Sequence, residues 1–148
     1  MLGSAETHTF GRADARYPAL VTVTFVVEGS QVESLDDFWR VMGEAVNGPG
    51  GYFGQNLDAF NDCLRGGFGT PDDDDFAVEW RDHELSRRNL GYPETVRQLE
   101  LRLERCHPSN RSSVRADLQA ARAGHGPTVF DWLVGIFQEQ IPGRLWLS

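Results

Sequence analysis

Lysine is absent from this chain: all fourteen basic residues are arginine. The bias reads as genomic composition, and it removes the ammonium group that could assist a hydrolytic carboxylate site. Cysteine is scarce as well. Cys63 and Cys106 are the only two, and no basic start followed by an apolar run precedes Leu20, so a reduced, cytoplasmic setting is expected. No apolar run approaches the ~20 residues that a membrane span needs, so no membrane partner is expected. His83, His107 and His125 are scattered without metal-ligand spacing. Neither a metal nor another cofactor is expected. Positive charge is also short: a formal net charge of -8 opposes binding to nucleic acid and points to a basic protein as partner.

The patterning that is present belongs to a single α/β domain. A chain of 148 residues can bury about two thirds of its unfolded surface around one core. Residues 1–18 have little apolar patterning and read as an extended or flexible arm. Residues 20–27, rich in Val, Thr and Phe, read as a strand. Ser34 can cap a helix whose Leu35, Phe38, Trp39, Met42, Ala45 and Val46 share one side, ended by Asn47-Gly48-Pro49-Gly50-Gly51. A short acidic helix follows, then a glycine-rich loop and a strand over residues 76–80. Pro93 opens a further helix with Val96, Leu99 and Leu103. A cap at Ser109 or Asn110 starts another with Val114, Leu118 and Ala121, ended by Gly124. Their narrow apolar faces place the pair on the surface of the core. Pro127-Thr128 begins an apolar helix through Val129, Trp132, Leu133, Ile136 and Phe137, and residues 144–147 close the chain as a strand. Three strands joined by helical crossovers predict a small three-stranded parallel sheet packed with helices.

The most informative stretch is Gly50-Gly51-Tyr52-Phe53-Gly54-Gln55-Asn56-Leu57-Asp58-Ala59-Phe60-Asn61-Asp62-Cys63-Leu64-Arg65-Gly66. Leu57, Phe60 and Leu64 recur at helical spacing and would face a core, while Asp58 and Asp62 lie four residues apart on another side. Two like charges so placed oppose the helix by roughly 0.2 to 0.5 kcal/mol. An arrangement chosen for stability alone would pair one of them, so the spacing hints at a cation from another molecule. The ordinary alternative is a solvated acidic face, with Arg65 pairing locally to Asp62. Spacing alone favours that alternative.

Tyr52-Phe53-Gly54-Gln55-Asn56-Leu57-Asp58-Ala59-Phe60-Asn61-Asp62-Cys63-Leu64, followed by Phe76-Ala77-Val78-Glu79-Trp80-Arg81, resembles the barstar family of small intracellular ribonuclease inhibitors. The likeness covers most of residues 20–91 and 127–148. It implies one barstar-like domain over residues 1–148, with the two additional helices carried by an insertion over residues 91–126. It also implies an antitoxin-like inhibitor with no catalysis of its own, bound 1:1 to a secreted guanyl-type ribonuclease. In that reading, carboxylates mimic RNA phosphate in a basic active site. Asp62 matches the carboxylate that enters the phosphate-binding centre and Asp58 a second acidic contact. Tyr52 matches an aromatic that packs on the nuclease. Asn56 lies in the same recognition segment, and Glu139 matches an acidic contact of the last helix.

Departures accompany the likeness. Asn61 and Gly67 stand where the family pattern has large aromatics, so anchoring there is lost or falls to Phe68 or Phe60, with Asn61 a polar member of the site. Gly135 replaces an acidic residue one turn before Glu139. Two rival readings remain at this level: a metal-dependent hydrolase using Asp58, Asp62 and Glu79, and an interaction module whose added helices bind an unrelated partner. The run Asp72-Asp73-Asp74-Asp75 lacks the spaced ligands and glycine turn of a calcium loop and reads as steering charge for a basic partner.

Overall fold

A computed structural model describes Glu6–Thr7 and residues 23–148. The arm expected over residues 1–18 lies, Glu6–Thr7 apart, outside the described residues, as do residues 20–22 of the expected first strand. The elements run β1 (Glu6–Thr7), β2 (Val23–Glu28), α1 (Leu35–Asn47), α2 (Leu57–Arg65), β3 (Phe76–Arg81), α3 (His83–Asn89), α4 (Tyr92–Arg105), α5 (Arg111–Arg122), α6 (Val129–Gln140) and β4 (Leu145–Leu147). The sheet has the order β1-β2-β3-β4. β2, β3 and β4 are parallel, as the helical crossovers require, and β3 lies between the other two. The two residues of β1 add an antiparallel edge against Val23 and Thr24 that the sequence pattern did not indicate.

One aromatic cluster joins the helices to the sheet. Phe38 of α1 meets Phe60 of α2 at 5.4 Å and Trp80 of β3 at 5.2 Å between ring centroids. Phe137 of α6 closes on Phe60 at 5.2 Å, and Phe130 closes on Trp80 at 5.1 Å. All five rings are buried. Edge-on and tilted pairs of this kind each add about 0.5 to 1.5 kcal/mol beyond the area they bury.

Helix starts follow the capping residues. The Ser34 side chain accepts from Asp37 N–H at 3.2 Å, and Thr128 and Asp131 form a reciprocal capping box at α6. The cap expected at Ser109 or Asn110 does not form: neither side chain caps α5, and a 3-10 turn over Pro108–Asn110 leads in, with His107 Nδ1 accepting from Ser109 N–H. The preceding turn takes up the first N–H of α5, with Arg111 N–H donating to the Pro108 carbonyl.

α3 was not legible as a helix. Its centre is a buried serine rather than an apolar stripe: Trp80 Nε1–H donates to Ser86 Oγ at 3.0 Å, and Ser86 donates to the Gly29 carbonyl at 2.9 Å. The backbones come so close there that a Cβ on Gly29 would lie 2.1 Å from the Arg81 carbonyl oxygen.

α4 and α5 form a hairpin around Leu99, Val114, Leu118 and Ala121, and Trp132 of α6 packs on both this cluster and the main core. Two buried polar residues at the start of α4 secure it. Leu35 N–H, at the start of α1, donates to Glu94 Oε2 at 2.9 Å, and Val129 N–H, at the start of α6, donates to Thr95 Oγ1 at 2.9 Å. Arg97 grips the Glu94 carboxylate with both Nε and an Nη, each at 2.8 Å, and Gln98 donates at 3.0 Å.

Burial alone would raise the Glu94 pKa, but the hydrogen bonds from Arg97, Leu35 N–H and Gln98 together hold it below the ordinary carboxylate value. A depressed folded-state pKa contributes stability that is fully present above the unfolded value of about 4.3 and is lost as pH falls through the folded pKa. Glu94→Ala is therefore expected to lower unfolding free energy at neutral pH by about 1 to 3 kcal/mol, because three donors lose one acceptor. Urea titrations of both proteins should show this gap narrowing on acidification; a gap that is absent at neutral pH would contradict the assignment.

Candidate protein-binding site

The turn before α2 is built on close backbone contact. A Cβ on Gly43 of α1 would sit 2.2 Å from the Gly51 carbonyl oxygen, so the loop lies directly on the helix. Gly54 takes φ +93°, a region open to glycine at little cost. Phe53 is buried in the core while Tyr52 is 46% exposed. The Asn47 side-chain amide donates to the carbonyls of Tyr52, at 2.8 Å, and Phe68, at 2.7 Å. One amide thus ties together the loops on either side of α2. Their exposed rings, Tyr52 and Phe68, lie 6.3 Å apart.

Asn56 caps α2: its Oδ1 accepts from Ala59 N–H at 2.8 Å. Phe60, Cys63 and Leu64 turn inward and are buried, and Leu57 is partly covered against the same core. Asp58 and Asp62 are exposed. Asp62 faces Arg65 at 3.6 Å, with both side chains more than 60% exposed. Such a pair is worth at most about 1 kcal/mol and is readily exchanged for a partner's cation. Asp58 makes no ion pair among the described residues. The Cys63 thiol pKa is raised by burial and then by the neighbouring Asp62 charge, which suits a packed, unreactive side chain.

α6 enters through Asn61. Gln140 Nε2 donates to Asn61 Oδ1 at 3.0 Å and approaches Glu139 Oε1 at 3.3 Å, so the polar residue at the family's aromatic position links α2 to the helix that bears Glu139. Nothing in the spacing of Gln140 marked it for this role. Phe60 is fully buried among the core rings and unavailable to a partner, whereas Phe68 is 44% exposed beside Tyr52. Of the two aromatics suggested by sequence, Phe68 alone reaches the surface.

The alternative carboxylate trio is not assembled. Glu79 sits in β3, where it accepts from Ser148 Oγ at 3.0 Å and Arg81 Nε at 3.3 Å. Among the described residues no group of three or more His, Cys, Asp and Glu side chains is placed to hold a metal ion. The run Asp72 to Asp75 is tied to the end of the sheet by Arg144, whose Nη1 donates to the carbonyls of Asp74 and Phe76.

A mostly parallel-sheet α/β domain thus displays paired carboxylates and aromatics on one helix and its flanking loops. The family model described as Barstar (barnase inhibitor) matches residues 22–119, about two thirds of the chain. The chain belongs to the barstar family. The matched range includes the whole of α2, β3 and α4 and ends within α5.

Gly135 is an exposed mid-helix glycine whose added Cβ would meet no heavy atom within 4 Å. Gly135→Ala should raise unfolding free energy by about 0.5 to 1 kcal/mol through backbone entropy alone. Chemical denaturation would detect it; a loss of stability would mean that α6 needs the glycine.

Proposed function

We propose that this protein inhibits a secreted guanyl-type microbial ribonuclease, binding it 1:1 in a reduced cytoplasmic setting and occupying its active site. Membership of a family of barnase inhibitors supports the class of partner. The observation that carries the reading is the outward pair Asp58 and Asp62, backed by a buried helix face and bordered by the exposed rings of Tyr52 and Phe68. Asp62 enters the phosphate-binding centre, exchanging its exposed Arg65 for the nuclease's cations, and Asp58 supplies a second carboxylate one turn away. Tyr52 and Phe68 pack on the rim. Asn56, Asn61 and Glu139 border the contact, with Gln140 holding the last two in place. The net charge of -8 and the run from Asp72 to Asp75 accelerate encounter with a basic enzyme, an effect that salt screens.

Titration of a guanyl-type ribonuclease with the wild-type protein should give stoichiometric inhibition. Asp62→Ala should weaken it by about 3 to 5 kcal/mol, a loss of two to nearly four decades, because the enzyme's buried cations lose their counter-charge. Asp73→Ala, in the steering run, should cost less than about 1 kcal/mol. Equal small losses for both variants would remove Asp62 from the interface.

A further inference from the structure

Two large apolar side chains are exposed among the described residues, Tyr52 and Phe68, and they are neighbours across the two loops that flank α2. Glycine adjoins both: Gly51 precedes Tyr52, and Gly66, Gly67 and Gly69 surround Phe68. Such backbones have little conformational preference of their own and lose the most freedom when fixed. On the Tyr52 side the buried Phe53 fastens the loop. No backbone–backbone hydrogen bond among the described residues reaches positions 67–69. What holds Phe68 is Asn47, the last residue of α1, whose Nδ2 donates one hydrogen to the Phe68 carbonyl and one to the Tyr52 carbonyl. Only the NH2 end of the amide can meet two carbonyls, so its orientation is fixed by chemistry. The adjoining glycines fit closely around it. A Cβ on Gly69 would lie 2.2 Å from Asn47 Oδ1, and one on Gly51 would lie 2.7 Å from Asn47 Cβ.

Asn61 and Gly67 occupy the family's two aromatic positions, so the pair Tyr52 and Phe68 is the aromatic surface left to the site. A ring on a loose glycine loop must be ordered when a partner binds, and that cost is subtracted from its contact. We propose that Asn47 is a positioning residue of the ribonuclease-binding site, holding Phe68 beside Tyr52 so that the two rings meet an apolar patch on the enzyme's rim as one anchor. Asn47 acts more through Phe68 than through Tyr52, because Phe53 already fixes the Tyr52 loop. This rests on the inhibitor reading above and adds the residue that makes its aromatic contact effective.

The test is a set of double-mutant cycles on inhibition of a guanyl-type ribonuclease at neutral pH, with Asn47→Asp, Phe68→Ala, Tyr52→Ala and their pairs. Asn47→Asp keeps the shape of the side chain but has no N–H to donate. It also adds negative charge, so long-range attraction alone predicts unchanged or tighter binding. Positioning predicts that Asn47→Asp weakens inhibition about tenfold with Phe68 present and less than about threefold in the Phe68→Ala background, with smaller coupling to Tyr52→Ala. Phe68→Ala leaves in place the carbonyl that Asn47 holds, so a merely structural amide would cost the same in both backgrounds. Gly69→Ala, which crowds Asn47 from the other loop, should show the same dependence on the Phe68 ring. Tyr52→Ala and Phe68→Ala change exposed positions and should together lose less than the product of their separate losses, a result that stands even where a loop variant fails to fold. If Asn47→Asp costs nothing, or costs the same with and without the Phe68 ring, or if the two ring losses simply multiply, the inference is overturned while stoichiometric inhibition by the wild type upholds the inhibitor reading. Failure of the wild type to inhibit any such enzyme overturns that reading and this inference with it.

Discussion

The packing of Phe60 against Phe38 and Phe137 is the interaction from which the rest of the surface takes its position. α2 is only nine residues long and carries like charges one turn apart, so it has little stability of its own. What keeps it helical is the inward face of Phe60, Cys63 and Leu64 buried in a core shared with α1, α6 and β3. The same rings that bury this face determine where Asp58 and Asp62 emerge. An unfavourable charge pattern on one side is thus sustained by apolar contact on the other.

Polar side chains then set the finer geometry. Asn47 ties the Tyr52 and Phe68 loops together, Gln140 connects Asn61 to the end of α6, and Glu94 and Thr95 bind the start of α4 to the starts of α1 and α6. Each joins segments far apart in the chain through groups that water would otherwise occupy. Such bonds contribute about 1 kcal/mol each, but their directionality matters more than their sum. They hold aromatic rings and carboxylates of separate elements in one arrangement, and on the proposed function that reduces the ordering cost of association.

The hairpin of α4 and α5 has its own small apolar cluster and meets the main core through Trp132. Its link to α1 runs through an ionised carboxylate, Glu94, that accepts donors from three different residues. Stability and placement are coupled there. The contact that secures the hairpin also brings Arg105 alongside the beginning of the acidic helix.

Helices α1, α2, α4, α5 and α6 and strands β2, β3 and β4 were legible because each repeats apolar residues at its own period, and hydrophobic burial acts on that period locally. The parallel sheet was legible because long helical crossovers leave few other connections. Tyr52, Asn56, Asp58 and Asp62 could be proposed as a group because they lie in one turn and one short helix and the family resemblance singles out that stretch. α3 was not, since its buried centre is Ser86, whose partners Trp80 and Gly29 come from other segments. The division between Phe60 and Phe68 could not be read either: both are phenylalanines near the motif, and only packing buries one and exposes the other. By itself, then, the sequence determined most of the elements, the family and the acidic segment, because these depend on neighbours along the chain. The tertiary structure alone decided which rings reach solvent, how Asn61 connects to α6 and which arginines share a groove with the start of α2, because those outcomes depend on contacts between residues tens of positions apart.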